Sequence, residues 1–379
     1  MRKIGFIFCI VAAIATCSCR NDHQEAFDFD GFRRLKPLVI GDSLLVGRPS
    51  RPMILDSLLI YTDKFEGELI TVINLNTGSF RRTLPVGRGP GEMMMIRRIY
   101  HNDAGKIFLF DVTSHKISSY SATESFPQLL SANTCLGEMT FGFDEVPYEV
   151  IPFGNGYIAN GNFNGHQFSL LDSNGRSTGH FGVYPGDNSD AGNGNAFFMK
   201  NQTLMAVKPD QSCFAAAGYS NDQLVFYRTD GSGIPQKTRE YFTFDADVET
   251  ITHEHGVRVI HKPETVSAYM CLYPTDNYLY TSYKGRTMEE MMNPDIEKVN
   301  YILKFDWDGE FIEGYVVGNI DDFAVDEAAG RIYAFVYEDG DSILTAYEIQ
   351  EGRFAAPLFH TIAHYRGTFL REHLVIGRP

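Results

Sequence analysis

The chain has 379 residues and a formal net charge of −15 at pH 7. Such an acidic chain repels nucleic acid and anionic lipid surfaces, so its composition argues against a nucleic-acid partner. Its 6 cysteines include no CxxC pair, and the sequence therefore predicts neither a disulfide framework nor a zinc site.

The first segment, residues 1–18, has the pattern of an export signal. Arg2 and Lys3 supply a positive start, and an unbroken run of apolar and small residues extends from Ile4 to Ala15. This run is shorter than the roughly 20 residues of a membrane-spanning helix, but it suits the apolar region of a signal peptide. We therefore expect export from the cytoplasm.

A lipidation site is expected directly after this signal. The small residue Ser18 precedes Cys19, and this order resembles a lipobox, whose cysteine is acylated, for example with palmitate, and becomes the new N-terminus. Cys17 is an alternative lipidated residue, and an ordinary cleaved secretory signal is an alternative without lipid. The sequence thus predicts a cell-envelope lipoprotein at the outer membrane, facing the periplasm or the cell surface, with a flexible tether over residues 19–34.

Short strands rich in aromatic and β-branched residues repeat along the rest of the chain. One apolar strand recurs at intervals of roughly fifty to sixty-five residues, and a strand of alternating pattern follows each copy. The recurrent strands are Leu58–Asp63, Lys106–Val112, Gly156–Gly161, Cys213–Tyr219, Tyr278–Tyr283 and Arg331–Tyr337. Four strands at this period are typical of propeller blades.

Six repeats predict an all-β fold, a six-bladed β-propeller of four-stranded antiparallel blades over residues 35–379. Each blade can bury its faces only against its neighbours, so the ring must close. An N-terminal strand within Leu35–Gly41 or Leu44–Gly47 is expected to complete the last blade. A seventh blade hidden in residues 120–150 and a β-sandwich with irregular loops are the alternatives.

The long connections are expected to share one face of the ring. Connections from the first to the second strand and from the third to the fourth strand are short in the predicted blades. The long segments are assigned to the other connections: residues 121–147, 183–202, 244–266 and 284–299. Because binding residues concentrate on loops held by a rigid scaffold, this face is the predicted binding face.

Residues 87–92 (GRGPGE) join blade one to blade two. The glycines and Pro90 favour a bend, which leaves Arg88 and Glu92 as the side chains able to project. Together with the signal and lipobox, this turn makes the chain resemble the TolB-like six-bladed propeller lipoproteins of gut anaerobes. The resemblance implies a six-bladed propeller fold and a cell-envelope location, but no reaction. The two residues either stabilise a hinge or bind a ligand, with Arg88 suited to a carboxylate or a sugar hydroxyl.

His253 and His255 form the densest histidine pair and are the other candidate ligand-binding residues. As alternate residues of a strand they would lie on one side. No third ligand is fixed beside them, so no metal and no cofactor are predicted. Cys213 and Cys271 are expected as buried free thiols, with one bridge between them as the alternative.

No motif indicates catalysis. The chain has no GxSxG elbow, and residues expected near the inner strands form no ring of acids, so no catalytic residue is assigned. The leading hypothesis is a membrane-anchored binding module for a protein, peptide or glycan. The alternatives are a metal-dependent hydrolase or carbohydrate-active enzyme with its site at the channel mouth, and a scaffold subunit of an envelope complex.

Overall fold

The computed structural model describes residues 27–41, 47–142, 147–186, 195–229, 233–253, 256–338 and 341–349. Within these ranges nearly all regular structure is β-strand. Two short strands, β1 (Arg33–Arg34) and β2 (Pro37–Gly41), come first, and β2 is itself a strand of the last of six four-stranded antiparallel blades. The predicted all-β, six-bladed architecture is confirmed. None of the helices in these ranges has the length and apolar character needed to cross a bilayer.

The first three blades occupy the first half of the chain. Blade one contains β3 (Ser50–Leu55), β4 (Leu58–Phe65), β5 (Glu68–Asn74) and β6 (Phe80–Pro85). Blade two contains β7 (Ile96–Asn102), β8 (Lys106–Asp111), β9 (Lys116–Ser121) and β10 (Cys135–Thr140). Blade three contains β11 (Glu149–Phe153), β12 (Gly156–Phe163), β13 (His166–Leu171) and β14 (Ser177–Val183).

The second half adds three blades, two helices and one hairpin. Helix α1 (Asn195–Lys200) precedes blade four, which contains β15 (Thr203–Val207), β16 (Cys213–Gly218), β17 (Leu224–Arg228) and β18 (Gln236–Tyr241). A separate hairpin, β19 (Val248–His253) and β20 (Gly256–His261), leads to β21 (Val266–Pro274) and β22 (Tyr278–Thr287) of blade five. Helix α2 (Met288–Met292), β23 (Asn300–Asp306) and β24 (Phe311–Val317) follow. Blade six begins with β25 (Ile320–Asp326), β26 (Arg331–Glu338) and β27 (Asp341–Glu348).

The first strand of each blade lines the centre of the ring. Each of these six strands contacts the first strand of the next blade, and β25 contacts β3 to complete the circuit. Large aromatic side chains fill the spaces between blades, and Tyr61, Phe214 and Phe305 are fully buried. Each blade buries apolar side chains on both of its faces, and the hydrophobic effect of this burial stabilises the closed ring.

The N-terminal segment closes blade six. Strand β2 pairs antiparallel with β27, with Pro37 opposite Tyr347 and Leu38 opposite Ala346, and it is the outermost strand of that sheet. The predicted closing strand within Leu35–Gly41 is therefore confirmed, and most of the alternative, Leu44–Gly47, lies outside the described residues.

Residues 27–41, named here the clasp, hold blades five and six together. Strand β1 runs parallel to β24 of blade five, three residues before β2 joins blade six. Phe27 is buried, and its ring lies 5.3 Å from that of Phe311 and 5.7 Å from that of Phe305. Residues 27–34, which the sequence assigned to a tether, are thus packed on the scaffold, because Phe27, Phe29 and Phe32 find apolar partners.

The long connections emerge mainly where the first strands begin, an end of the ring named here the insertion face. Helix α1 packs against the β19–β20 hairpin there, and α2 lies between the second and third strands of blade five.

Residues 122–134 are an exception to the one-sided pattern. They connect β9 to β10 inside blade two. The sequence pattern instead predicts that residues 121–147 lead from blade two to blade three. This loop packs along β6, where Arg81 Nε donates to Phe126 O at 2.6 Å and Thr83 Oγ1 donates to Leu130 O at 2.9 Å. The described residues of the other three expected insertions, 183–202, 244–266 and 284–299, lie on the insertion face.

A polar residue at the end of the second strand holds the start of the first strand in blades one to three. Asp63 accepts hydrogen bonds from the backbone N–H groups of Gly47 and Arg48. Asp111 accepts from Met94 and Met95 in the same way, and the amide oxygen of Asn160 accepts from Glu149. In these three blades, the bonds fix the position of the first strand along the axis of the channel.

Candidate functional site

Charged side chains enter the channel at the insertion face. Within the first three positions of their strands lie Arg51 in β3, Arg97 and Arg98 in β7, Glu149 in β11 and Asp322 in β25. Because all first strands run in the same direction, these five residues, named here the channel cluster, lie at one end of the ring. Four blades contribute to it.

Arg51 and Asp322 join blade one to blade six. The backbone N–H and Nη1 of Arg51 donate to Asp322 Oδ2 at 3.1 and 3.3 Å. Arg51 Nε donates to the carbonyl oxygen of Arg97 at 2.9 Å. Burial lowers the pKa of Arg51, but the carboxylates of Asp322 and Glu149 outweigh this effect and raise it overall, so the guanidinium stays charged.

Arg97 joins blade two to blade three. Its Nε lies 3.8 Å from Glu149 Oε1, and its guanidinium carbon lies 3.8 Å from the centre of the Tyr148 ring, a cation–π contact. Burial and the neighbouring Arg51 lower the pKa of Arg97 to about 10, which leaves it charged at neutral pH. The Tyr148 ring also lies 5.4 Å from Phe198 of α1, so an insertion supports this part of the cluster.

Several charged atoms of the cluster are buried without a hydrogen-bond partner among the described residues. These atoms are Arg97 Nε, Arg98 Nε, Glu149 Oε2 and Asp322 Oδ1. The side chains of Glu149 and Asp322 are only 1% and 9% exposed. Buried charged groups are costly unless they are paired, so their concentration where four blades meet makes the cluster the candidate site.

A cavity of about 80 Å³ extends from the cluster into the channel. Arg51, Arg98 and Asp322 line one end, while Met53 and Cys271 contribute to its wall. Burial raises the pKa of the Cys271 thiol, which is therefore protonated at neutral pH. Cys135, Cys213 and Cys271 are all free thiols, so the alternative of a bridge between the last two is not formed.

The opposite end of the channel is acidic. Asp103 lies in the turn between β7 and β8, and burial together with Asp276 and Asp210 raises its pKa. Burial lowers the pKa of His101, against the opposing effect of Asp103 and Asp276. The two ends of the channel therefore carry opposite charge. In the described part of the chain, no group of three or more His, Cys, Asp or Glu side chains has metal-ligand geometry.

The GRGPGE turn is closed by its own glutamate. Glu92 Oε2 accepts a hydrogen bond from the N–H of Gly89 at 2.7 Å, and Gly87 N–H donates to Met93 O at 2.9 Å. Lys116 Nζ donates to Glu92 O at 2.8 Å, which ties the turn to blade two. Arg88 is exposed, and no ion pair among the described residues joins it to Glu92.

We predict that Gly87→Ala destabilises the protein by about 0.5–1.5 kcal/mol, because the added Cβ would displace the Glu92 carboxylate from the N–H of Gly89. Urea unfolding measures the effect. Gly137→Ala is the matched control, since a Cβ there meets only Ser119 Oγ at 3.9 Å. Glu92→Ala should cost a similar amount, and adding Gly87→Ala to it should cost little more; a full further loss would show that displacement of Glu92 is not the cause.

The predicted histidine site is only partly within the described residues. His253 is exposed at the end of β19, opposite Gly256, whereas His255 lies outside the described residues. The structure thus does not bring His253, Arg88 and Glu92 into the channel cluster. None of the five cluster residues was identified from sequence, because a charged residue at the start of one strand gives a signal only when the first strands of several blades are compared.

Comparisons with known proteins agree with this architecture. A family model described as TolB-like 6-blade propeller-like matches residues 28–328. A Bacteroides fragilis protein described as exported is 16% identical, with 86% of this chain and 98% of that chain covered and a TM-score of 0.50. A DUF4221-family protein of Bacteroides vulgatus is 10% identical, with coverage of 84% and 99% and a TM-score of 0.51. No curated protein matched the chain.

Proposed function

The chain belongs to the TolB-like 6-blade propeller family, and from this premise we propose that it is a non-catalytic recognition module of the cell envelope. Its ligand, a protein, peptide or glycan, binds at the channel end of the insertion face. The observation that carries the proposal is the set of buried, unpartnered charged atoms where four blades meet. The insertions around this end supply a larger contact surface.

The chemistry of the cluster favours binding over catalysis. Three of its five members are guanidinium groups, which donate hydrogen bonds to anions but do not exchange protons near neutral pH. Both carboxylates lie beside arginines, Asp322 at Arg51 and Glu149 at Arg97. Such pairing positions the guanidinium planes, as expected in a ligand site.

A thermal-shift panel of peptides, glycans and organic acids tests this proposal. A ligand at a hundred times its Kd adds about 2.7 kcal/mol of stability. We expect at least one stabilising ligand whose effect is lost in Arg98→Gln and retained in Asp103→Asn, a matched charge change at the other end of the channel. Hits that Arg98→Gln retains would place binding elsewhere, and chemical conversion of a hit would contradict a non-catalytic role.

We propose that a lipid on Cys19 anchors the protein at the outer membrane. The B. fragilis protein of similar fold is described as exported, which supports an envelope location. We predict that Cys19→Ala moves the protein from the membrane fraction to the soluble fraction, while Cys17→Ala leaves it membrane-bound. Fractionation followed by a carbonate wash measures both, and membrane retention of Cys19→Ala would contradict lipidation at that residue.

A further inference from the structure

The net charge of the channel cluster selects for an anion. Arg51, Arg97 and Arg98 carry three positive charges, and Glu149 and Asp322 carry two negative charges. One positive charge is therefore uncompensated within the cluster. In a buried, low-dielectric site a single anionic group balances it, whereas a zwitterion would leave the excess in place.

The unpartnered atoms define a second requirement. Arg98 Nε is a donor, and Asp322 Oδ1 is an acceptor on a carboxylate whose other oxygen is occupied by Arg51. Both residues line the cavity, and the Cys271 thiol beside Asp322 is a donor near its carboxylate, but a weak one that a ligand hydroxyl would outcompete. A ligand that satisfies both presents a carboxylate to Arg98 and a hydrogen-bond donor to Asp322. A hydroxyl donates without adding positive charge.

The size of the cavity limits the ligand further. Its volume is about 80 Å³, well below the roughly 300–1,000 Å³ of pockets for drug-sized ligands, so it takes only a small group. Met53, Leu272 and Cys271 supply an apolar wall for the carbon atoms. The acidic turns at the other end of the channel disfavour a carboxylate there, which leaves the arginine end as its position.

We propose that the cavity binds a small α-hydroxy carboxylate, with the carboxylate on Arg98 and the hydroxyl on Asp322. This inference rests on the proposed recognition function and extends its ligand, a protein, peptide or glycan, to a free organic acid that carries the same group. The group is either a free acid of about three carbons or the corresponding end of a larger sugar acid.

Isothermal titration calorimetry of the whole protein with D-lactate, L-lactate and glycerate tests the inference. We expect a Kd of about 10 μM to 1 mM for at least one of them, within the ceiling for a ligand of about six heavy atoms. Propionate, which leaves Asp322 Oδ1 unpaired, should bind about ten- to one-hundred-fold more weakly. L-Alanine should also bind more weakly because its ammonium adds charge. Gluconate distinguishes the sources: stronger binding than lactate favours a sugar acid, and weaker binding favours the free acid.

Three variants locate the site. Arg98→Gln should weaken lactate or glycerate binding by about thirtyfold or more, since a charge-assisted pair is lost. Cys271→Leu fills the cavity without changing charge and should abolish binding while the protein stays folded. Asp103→Asn, at the opposite end, should change the Kd by less than about twofold.

Two results would overturn the inference. The first is that no hydroxy acid binds the folded protein at 10 mM, a concentration about ten times the weakest expected Kd. The second is that Arg98→Gln and Cys271→Leu bind the hydroxy acids as tightly as the unaltered protein does. If the panel ligands still depend on Arg98 while hydroxy acids neither bind nor compete, this inference fails and the proposed recognition function stands. If the panel ligands are also independent of Arg98, both fail.

Discussion

A chain lacking the clasp, residues 27–41, is expected to be largely unfolded at 25 °C. Its removal takes the outer strand from blade six and exposes the apolar surface that Phe27, Leu35 and Ile40 bury. Each buried side chain of this kind contributes about 1.5–3 kcal/mol, and the hydrogen bonds of β2 to β27 are also lost. The combined loss is comparable with the total stability of about 5–15 kcal/mol that is usual for a domain.

Urea unfolding followed by the fluorescence of Trp307, the chain's single tryptophan, measures this loss. Trp307 is buried, and its Nε1 donates to Thr275 O at 3.0 Å in blade five. A chain that begins at residue 27 is the control and should unfold cooperatively. A single change, Phe27→Ala, should cost about 3–5 kcal/mol. Cooperative, unaltered unfolding of the chain that begins at residue 42 would contradict closure by β2.

Asp111→Ala is expected to cost about 3–5 kcal/mol, which is the second large effect. The side chain is fully buried, and its two oxygens accept hydrogen bonds from four backbone N–H groups, those of Met94, Met95, Thr113 and Ser114. Removal of the carboxylate leaves four part-buried donors without an acceptor, around a position that is itself fully buried.

An exposed aspartate provides the matched control for Asp111. Asp172 also accepts from backbone N–H groups, those of Asn174 and Arg176, but in a solvent-exposed turn. Water can replace its carboxylate, so Asp172→Ala should cost far less than Asp111→Ala in the same urea titration. Equal losses would show that burial of the acceptor is not the source of the effect.

The six blades and the closing strand could be predicted because their signals are local and repeated. A strand pattern recurs in each blade, and the ring then needs one more strand from the other terminus. Strand β10 was missed because Cys135–Thr140 has a central glycine and no alternation of apolar residues. The loop before it was therefore assigned to the wrong face.

The packing of the clasp and the channel cluster depend on long-range contacts that local patterns do not encode. Arg51 and Asp322 are 271 residues apart in sequence, and only the closed ring brings them together. A charged residue at the start of one strand is usually a solvated edge, so each cluster residue looked ordinary by itself. The GRGPGE turn was conspicuous in sequence, yet its Glu92 hydrogen-bonds within the turn.

Ring closure brings charged residues of distant blades into one site. A double-mutant cycle of Arg51→Gln and Asp322→Asn tests this pairing most directly. Unfolding in urea of the two single variants and the double variant gives the coupling free energy between blades one and six. We predict a favourable coupling of about 1.5–3 kcal/mol, as found for close, partly buried charge pairs. Additive effects, with a coupling near zero, would contradict the pairing and with it the proposed site.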